Sequence, residues 1–291
     1  MFFIKQTNKG ANFNMDLFFE PRKRALSKVN LIPREPEMSE FDSAFVCGMI
    51  KEIKPKKILE VGVAAGGSTA ILLECIDMLG LRNECQLISV DLSERYWRDI
   101  DTGKNRKSGF LAEEYLLNTG KNFNHKFLLG NVLPHFIDDI GGNIDLVILD
   151  TAHMLPGEVL DIITVLPFLS KNAKVILHDV ALSHYKKGYY IATQVLFDSI
   201  VAEKIVPIDI FPNNGIPLPN IAAFSVTPDT MKYIESEFYA LTLPWRYMPA
   251  DNELKTYRTH FSKYYNKSLI KIFDIAISMN REFIKSRNND A

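Results

Sequence analysis

The sequence lacks an excess of charge of either sign. Its 291 residues contain 34 Lys and Arg against 35 Asp and Glu. Proteins that bind nucleic acid or an anionic membrane usually carry a basic surplus, so we expect neither partner here. The short basic runs, Arg22–Arg24 and Lys186–Lys187, are typical of solvated surface.

Cysteines are few, and long apolar runs are missing. The three cysteines, Cys47, Cys75 and Cys85, show no C-x-x-C spacing, which argues against a disulfide framework and a structural zinc site. The opening stretch MFFIKQTNKG has too short an apolar run for a signal peptide. No stretch approaches the roughly 18 uninterrupted apolar residues of a membrane span. We therefore expect a cytoplasmic protein.

Strand and helix patterns alternate through the middle of the chain. Five predicted strands, KKILEVGV, CQLISVDL, HKFLLGNV, IDLVILD and AKVILHDV, are separated by helical or turn segments. Leu146–Leu149 and Val175–Leu177 are apolar at consecutive positions, as in strands covered on both faces. This alternation predicts an α/β fold with a parallel sheet and helices on both sides. Two further strands, KIVPIDIF and NIAAFSVT, follow a helical segment.

Three parts of the chain differ in pattern. Residues 1–36 alternate aromatic clusters with polar residues and predict an arm that lies over the core. Residues 37–228 carry the strands and begin with SEFDSAFVCGMIKEI, a helix that Ser39 caps and Pro55 ends. Residues 229–291 predict a helical C-terminal extension, whose apolar residues would pack on the core or on a second copy. We expect a homodimer.

The stretch ILEVGVAAGGST runs from a predicted strand into a cluster of small residues. Gly62, Ala64, Gly66 and Gly67 fall at the turn, and Ser68 opens the next helix. Small residues at such a turn let backbone N–H groups approach a phosphate or a carboxylate. Ligands of doubly wound sheets bind at this end of the strands. The stretch therefore indicates a ligand-binding turn.

A dinucleotide fingerprint would read G-x-G-x-x-G with an acid about 20 residues further on. Here Ala64 replaces the middle glycine, and the acid that ends the second strand is Asp91. The loss of that glycine counts against a close approach to a pyrophosphate. An NAD-dependent oxidoreductase stays an alternative, as does a non-catalytic scaffold with the C-terminal helices as its binding surface.

The pattern E-x-G-x-x-x-G, formed by Glu60, Gly62 and Gly66, resembles the first motif of class I S-adenosylmethionine-dependent methyltransferases. The resemblance covers roughly residues 38–228 and implies a Rossmann-like doubly wound sheet of seven strands, mostly parallel, with the last antiparallel. It also implies that Asp91 binds the ribose hydroxyls and that Asn131 lies near the adenine. The implied cofactor-binding residues are Glu60, Gly62, Ala64, Gly66, Gly67, Ser68, Asp91, Asn131 and Asp150.

The stretch IDLVILDTAHMLPGEVLDIITVLPFLSKNAKVILHDV resembles the subgroup related to macrocin O-methyltransferase and cephalosporin hydroxylase-like proteins. Members tend to end the fourth strand with D-x-x-H and the fifth with H-D. Asp150, His153, His178 and Asp179 hold these positions. The four groups would converge beside the cofactor cleft, where buried charges are costly unless they are paired or bound to a ligand.

Two mechanisms follow from this resemblance. In one, Asp150 and Asp179 bind a divalent cation such as Mg²⁺, which lowers the pKa of an acceptor hydroxyl. Catechol O-methyltransferase-like enzymes add an Asn after the second Asp, where this chain has Val180. In the other, His153, oriented by Asp150 or Asp179, is the general base, a role that an ordinary pKa near 6.5 suits. In the remaining alternative, His153 and His178 are structural and tie the strand ends to loops by hydrogen bonds.

The acceptor is expected over the cleft, near LSHYKKGYY and the N-terminal arm. His178, His184 and Tyr185 are the predicted substrate-side residues, and a solvent-facing turn is the alternative for the last two. Trp245 and Tyr247 would close the site or form a subunit contact. The expected reaction is methyl transfer from S-adenosylmethionine to a hydroxyl of a small molecule, such as a sugar or a secondary metabolite.

Overall fold

The computed structural model describes residues 16–30, 38–99, 103–186, 188–207 and 219–289. Its strands are β1 (Lys57–Val61), β2 (Gln86–Asp91), β3 (His125–Leu129), β4 (Ile144–Leu149), β5 (Leu169–His178), β6 (Glu203–Ile205) and β7 (Ile221–Ser225). Its helices are α1 (Asp16–Leu26), α2 (Glu40–Ile53), α3 (Gly67–Met78), α4 (Phe110–Thr119), α5 (Leu133–Ile140), α6 (Gly157–Val165), α7 (Leu182–Tyr185), α8 (Ala192–Ser199), α9 (Pro228–Lys232), α10 (Glu235–Ala240), α11 (Asp251–Tyr264) and α12 (Lys267–Asn289). Among the described residues, no helix combines the length and the apolar character that crossing a membrane requires.

The seven strands form one sheet in the order β3-β2-β1-β4-β5-β7-β6. β1 to β5 pair in parallel, and β7 runs antiparallel to both β5 and β6. The predicted seven-stranded Rossmann-like sheet with an antiparallel last strand is therefore confirmed. Of the segment KIVPIDIF, residues 204 and 205 lie in β6 and residues 208–211 lie outside the described part of the chain.

The register of the sheet brings the ends of four strands to one edge. Val61 of β1 lies opposite Val90 of β2 and Leu149 of β4. Leu149 in turn lies opposite Leu177 of β5. The residues that follow these positions, from the glycine turn to the D-x-x-H and H-D motifs, therefore leave the sheet side by side. This alignment positions the candidate site.

Two hydrophobic layers cover the sheet. In β4, Val147 and Leu149 face a core shared with α5, α6 and α8. Leu146 and Ile148 face a second core, formed with α1, α2, α3 and α4. Because successive strand residues point to opposite faces, burial on both sides requires the consecutive apolar residues that the sequence shows.

The C-terminal helices pack on the same chain. Phe238, Trp245, Phe261 and Phe273 belong to the hydrophobic core that covers one face of the sheet. Trp245 is fully buried, and its indole N–H donates to the carbonyl of Leu241 at 2.7 Å. A side chain enclosed in this way is not available for a contact between subunits.

Helix α1 is the described part of the N-terminal arm, and residues 1–15 and 31–36 of the predicted arm lie outside the description. α1 packs on α2 and α3 through buried apolar residues such as Phe18 and Ala25. Arg24 pairs at 3.0 Å with Glu74, a buried carboxylate that also accepts a hydrogen bond from the hydroxyl of Tyr115. Apolar burial and this ion pair thus hold α1 on the core.

Candidate functional site

The turn after β1 lies against two other parts of the backbone. Gly62 has φ 96°, and a Cβ there would lie 1.9 Å from the carbonyl oxygen of Asp150. Gly66 has φ 87°, and a Cβ there would lie 2.7 Å from the Cα of Gly109 at the start of α4. Both positions require glycine because they combine left-handed backbone with close approach. Helix α3 begins directly after, at Gly67, without a side-chain cap.

Glu60 of β1 is a buried carboxylate next to this turn. Its oxygens accept hydrogen bonds from the hydroxyls of Ser68 (2.9 Å), Thr69 (2.8 Å) and Ser89 (2.7 Å). Burial raises the pKa of Glu60 to about 7, although the three hydroxyl donors favour the charged form. Glu60 therefore ties β1, β2 and the first turn of α3 together.

Asp91 is the last residue of β2, and its carboxylate holds the turn after β1. One carboxylate oxygen accepts from the backbone N–H groups of Val63 (2.8 Å) and Ala64 (3.0 Å), and the other accepts from Ser93 N–H (2.8 Å). Ala64 itself has φ 47°. Asn131 is half-buried after β3, and its side-chain oxygen accepts from the N–H of Val132 at 3.2 Å. Asp91 therefore contacts the glycine turn, whereas the hydrogen bond of the Asn131 side chain lies within the loop after β3.

His178 lies between two carboxylates. Its Nδ1 is 3.1 Å from Oδ1 of Asp150, and its Nε2 is 3.3 Å from Oδ2 of Asp42 on α2. Burial opposes a charge on the ring, but Asp150 and Asp42 outweigh it and raise the pKa of His178 well above its ordinary value. Both ring nitrogens, predicted to be on the substrate side, therefore face carboxylates of this chain.

Asp150 is ionised in this arrangement. Burial alone would favour the neutral acid, but the charge of His178 and its hydrogen bond hold the pKa of Asp150 below the usual value. Asp42 shows the same balance, with burial opposed by His178 and by a hydrogen bond from Ser39. Asp42 was not among the site residues predicted from the sequence.

His153 lies next to three carboxylates. Its Nε2 is 3.1 Å from Asp179 and 3.5 Å from Asp150, and its Nδ1 is 3.2 Å from Glu158 on α6. Burial lowers the pKa of His153, but Glu158 and the two aspartates outweigh it and raise the pKa to about 9. The ordinary pKa near 6.5 expected from the sequence therefore does not hold, because these carboxylates stabilise the imidazolium.

Glu158 is a second group that the sequence analysis did not select. It is fully buried, and Oε1 accepts the backbone N–H of His153 at 2.6 Å. His153 has φ 57°, an uncommon conformation for this residue type, and the contact with Glu158 holds the loop there. An acid five residues after the histidine of D-x-x-H, in the first turn of the next helix, was the available signal.

Asp150, His153 and Asp179 form a possible cation site, since one donor atom from each lies within 4.8 Å of the others. Asp179 has φ 60° and accepts a hydrogen bond from the amide of Asn220. The two carboxylates suit a hard divalent cation. The imidazole fits as a third ligand only when it is neutral, which a pKa of about 9 opposes at pH 7. The residues therefore fit a cation through the two aspartates.

The remaining predicted substrate-side residues lie on α7. His184 is exposed at the surface, and Tyr185 is the last residue of this four-residue helix. The side chain of Tyr185 and all of Lys187 lie outside the description. The structure does not bring His184 into contact with the histidines of the cleft.

Residues 59–180 match the family model described as a methyltransferase domain. This match confirms the methyltransferase resemblance predicted from Glu60, Gly62 and Gly66. None of the curated proteins is a significant match to the sequence.

Several solved structures have a similar chain course. The SAH-bound methyltransferase PaMTH1 of Podospora anserina is 16% identical, with 73% of this chain and 88% of that chain covered and a TM-score of 0.48. The O-methyltransferase TomG of Streptomyces achromogenes, in complex with SAM, is 15% identical, with 72% and 89% covered and a TM-score of 0.48. An O-methyltransferase of Bacillus cereus, in complex with SAH, is 12% identical, with 72% and 91% covered and a TM-score of 0.42.

Proposed function

Because residues 59–180 match the family model of a methyltransferase domain, we propose that the protein transfers a methyl group from S-adenosylmethionine to a hydroxyl of a small molecule. One observation carries this proposal. The glycine turn and the histidine–carboxylate cluster are in backbone contact, since a Cβ on Gly62 would lie 1.9 Å from the carbonyl oxygen of Asp150. A cofactor on the turn would therefore present its reactive group beside His153 and Asp150.

The cofactor would be held by the turn and by Asp91. The amino-acid end would lie against the turn from Gly62 to Gly67, where the chain has little side-chain bulk. Asp91, fixed by the N–H groups of Val63 and Ala64, would accept hydrogen bonds from the ribose hydroxyls. Asn131 would lie beside the adenine. These roles rest on the resemblance and on the shared edge of the sheet.

The residues of the cleft would accept the proton that the acceptor hydroxyl releases. When bound, S-adenosylmethionine supplies a methyl group made electrophilic by its sulfonium. His153 would accept the proton of the acceptor hydroxyl at Nε2, so that the oxygen could take up the methyl group as the proton leaves. Glu158, at Nδ1 and at the backbone N–H of His153, holds the ring in the orientation that leaves Nε2 toward the cleft.

Asp150 and Asp179 would hold a divalent cation such as Mg²⁺ next to that proton. When bound, the cation supplies positive charge that stabilises an ionised acceptor oxygen and offsets the carboxylates that keep His153 protonated. Glu158 and Asp42 contact the two histidines and remain outside this pair.

Titration calorimetry with S-adenosylmethionine and its demethylated product tests the proposal. The wild type should bind both in the micromolar range, and Asp91→Ala should weaken binding about 10- to 100-fold through the loss of charged hydrogen bonds. Asp229→Ala removes an exposed acid on α9 and should bind like the wild type. No affinity for either compound, or binding of reduced NAD in their place, would contradict the proposal.

A further inference from the structure

Two cations and two tyrosines form a compact surface patch. The patch consists of Lys186, Tyr189, Tyr190 and Arg246. The tyrosine rings have centroids 4.6 Å apart. The guanidinium of Arg246 lies 4.3 Å from the centroid of Tyr189, and the ammonium of Lys186 lies 5.9 Å from that of Tyr190. Each cation thus rests on one ring of the pair.

Backbone hydrogen bonds fix this patch on both sides of the His153 loop. The N–H of Ala192, two residues after Tyr190, donates to the carbonyl of His153 at 3.2 Å. The N–H of Arg246 donates to the carbonyl of Leu155, two residues after His153, at 3.0 Å. The patch therefore borders the segment that carries the proposed base.

The two cations of the patch are exposed and have no acidic partner within 4.0 Å among the described residues. Two exposed arginines of the C-terminal helices are, by contrast, paired with acids. Arg258 contacts Asp274 at 2.7 Å, and Arg281 contacts Asp251. A guanidinium that stacks on a ring keeps its N–H edge free for a bidentate contact with a carboxylate or a phosphate.

The cleft beside the patch is lined by carboxylates. Four carboxylates surround two histidines there: Asp42, Asp150, Glu158 and Asp179 around His153 and His178. Each ring nitrogen of these two histidines already contacts one of the carboxylates, so neither ring offers a free N–H group to an anion. A ligand with an anionic group would therefore place that group on the patch and its uncharged end toward the cleft.

We propose that this patch recognises the methyl acceptor and that the acceptor is a hydroxylated small molecule bearing a carboxylate or a phosphate. Arg246 and Lys186 bind the anionic group, and Tyr189 and Tyr190 contact the adjoining part of the molecule. The hydroxyl then points to His153. The assignment of the ligand as acceptor rests on the proposed function, whereas the anion preference is a property of the patch itself.

Equilibrium binding of two matched pairs tests this assignment: 3,4-dihydroxybenzoate against catechol, and glucose 6-phosphate against glucose. Calorimetry is run on the full chain with and without the demethylated cofactor. In at least one pair, the anionic member should bind about tenfold more tightly than its neutral partner. The first pair reports a carboxylate acceptor and the second a phosphate acceptor.

Substitutions at Arg246 then test whether this residue causes the tighter binding of the anionic compound. Arg246→Gln should reduce it to less than about threefold, and Arg246→Lys should keep part of it, because Lys retains the charge without the planar fork. Arg258→Gln removes an exposed arginine of α11 that is paired with Asp274 and should leave the preference unchanged. Thermal unfolding of each variant shows that the exposed substitutions leave the fold intact.

Two outcomes would overturn the inference: neither anionic compound binds more tightly than its neutral partner, or the preference persists in Arg246→Gln. Cofactor binding is measured in the same experiment and separates the two proposals. A protein that binds the cofactor without an anion preference keeps the proposed function and loses this inference. A protein with the preference but no cofactor binding keeps the anion site and loses the proposed function.

Discussion

The ring of His178 joins helix α2 to the end of β4, because Nε2 contacts Asp42 at 3.3 Å and Nδ1 contacts Asp150 at 3.1 Å. Asp42 precedes His178 by 136 residues, whereas Asp150 precedes it by only 28. If either carboxylate is removed, the buried imidazolium of His178 keeps only one of the two negative charges that stabilise it. An incompletely paired charge in a protein interior is strongly destabilising.

Asp42→Ala should therefore lower the free energy of unfolding by about 3 kcal/mol. Glu40→Ala is the matched control, because Glu40 is an exposed acid in the same first turn of α2 and should cost less than about 0.5 kcal/mol. Because the pKa of His178 is raised in the folded state, its stabilisation is fully present below the unfolded pKa near 6.5 and is lost as pH rises through the folded value. Urea unfolding at several pH values measures both effects, and equal losses in the two variants would contradict the prediction.

Glu60 should make the protein less stable as pH rises through weakly acidic values. Burial raises the pKa of Glu60 from 4.5 to about 7, so its contribution is fully present below pH 4.5 and is lost as pH rises to about 7. The loss amounts to about 3 kcal/mol. In Glu60→Gln the decline measured by urea unfolding should be smaller by about this amount, and the part that remains comes from other buried acids such as Asp161 and Glu237. Glu52→Gln, at an exposed position of α2, should retain the wild-type slope, and a shared slope in all three proteins would refute the assignment.

Gly62→Ala should disrupt the contact between the glycine turn and the end of β4. A methyl group there would lie 1.9 Å from the carbonyl oxygen of Asp150 on a backbone with φ 96°, so the two strand ends would have to separate. We expect a loss of about 3 kcal/mol or more in the free energy of unfolding. Gly80 has φ 73° with open space around it, and Gly80→Ala should cost only about 1 kcal/mol. Comparable losses at both positions would show that conformation alone, without the close approach, determines the cost.

Most of the sheet could be predicted from the sequence because strands buried on both faces need consecutive apolar residues, as in Leu146–Leu149. Helix α5 was not predicted, since its eight residues give only two turns and its buried residues, Leu133, Ile137 and Ile140, follow directly on a strand and a turn. A glycine directly after a helical pattern is a signal for the end of a helix, and the structure has Gly120 at the C-terminus of α4 with φ 60°. Local sequence signals therefore predict a helix or strand where a residue such as Gly120 clearly marks its end.

Some residues of the candidate site could likewise be predicted from local sequence patterns, and others could not. Asp150 and Asp179 stand at strand ends, so local pattern and parallel topology together place them at one edge. Asp42 and Glu158 reach the histidines only because α2 and α6 pack against that edge, which no local pattern indicates. The raised pKa of His153 was missed for the same reason, since it depends on burial and on carboxylates brought close by tertiary packing.

Glu158→Gln should lower the pKa of His153 from about 9 toward its ordinary value of 6.5, because the substitution removes the charge next to Nδ1. Titration of the imidazole signals by NMR measures this shift directly. Glu237→Gln is the control, since Glu237 is also a fully buried acid but is not among the groups that shift His153. An unchanged pKa in Glu158→Gln would show that Glu158 does not control the protonation of this ring.

Removal of divalent cations should lower methyl transfer at pH 7 by about tenfold or more. With a pKa of about 9, only about one His153 ring in a hundred is neutral at pH 7 and able to accept a proton. Positive charge between Asp150 and Asp179 offsets two of the carboxylates that stabilise the imidazolium, so added Mg²⁺ should restore the rate. In chelated protein, the rate should rise with pH toward an apparent pKa near 9.

Asp179→Asn tests whether this restoration depends on the proposed pair, since it keeps a hydrogen-bond acceptor near Asn220 and removes the charge. The variant should gain little from Mg²⁺, whereas Asp229→Asn, at an exposed position of α9, should respond like the wild type. If the rate at pH 7 survives exhaustive chelation, no cation is required. His153 must then lose its proton by another route, because the carboxylates around it hold that proton at neutral pH.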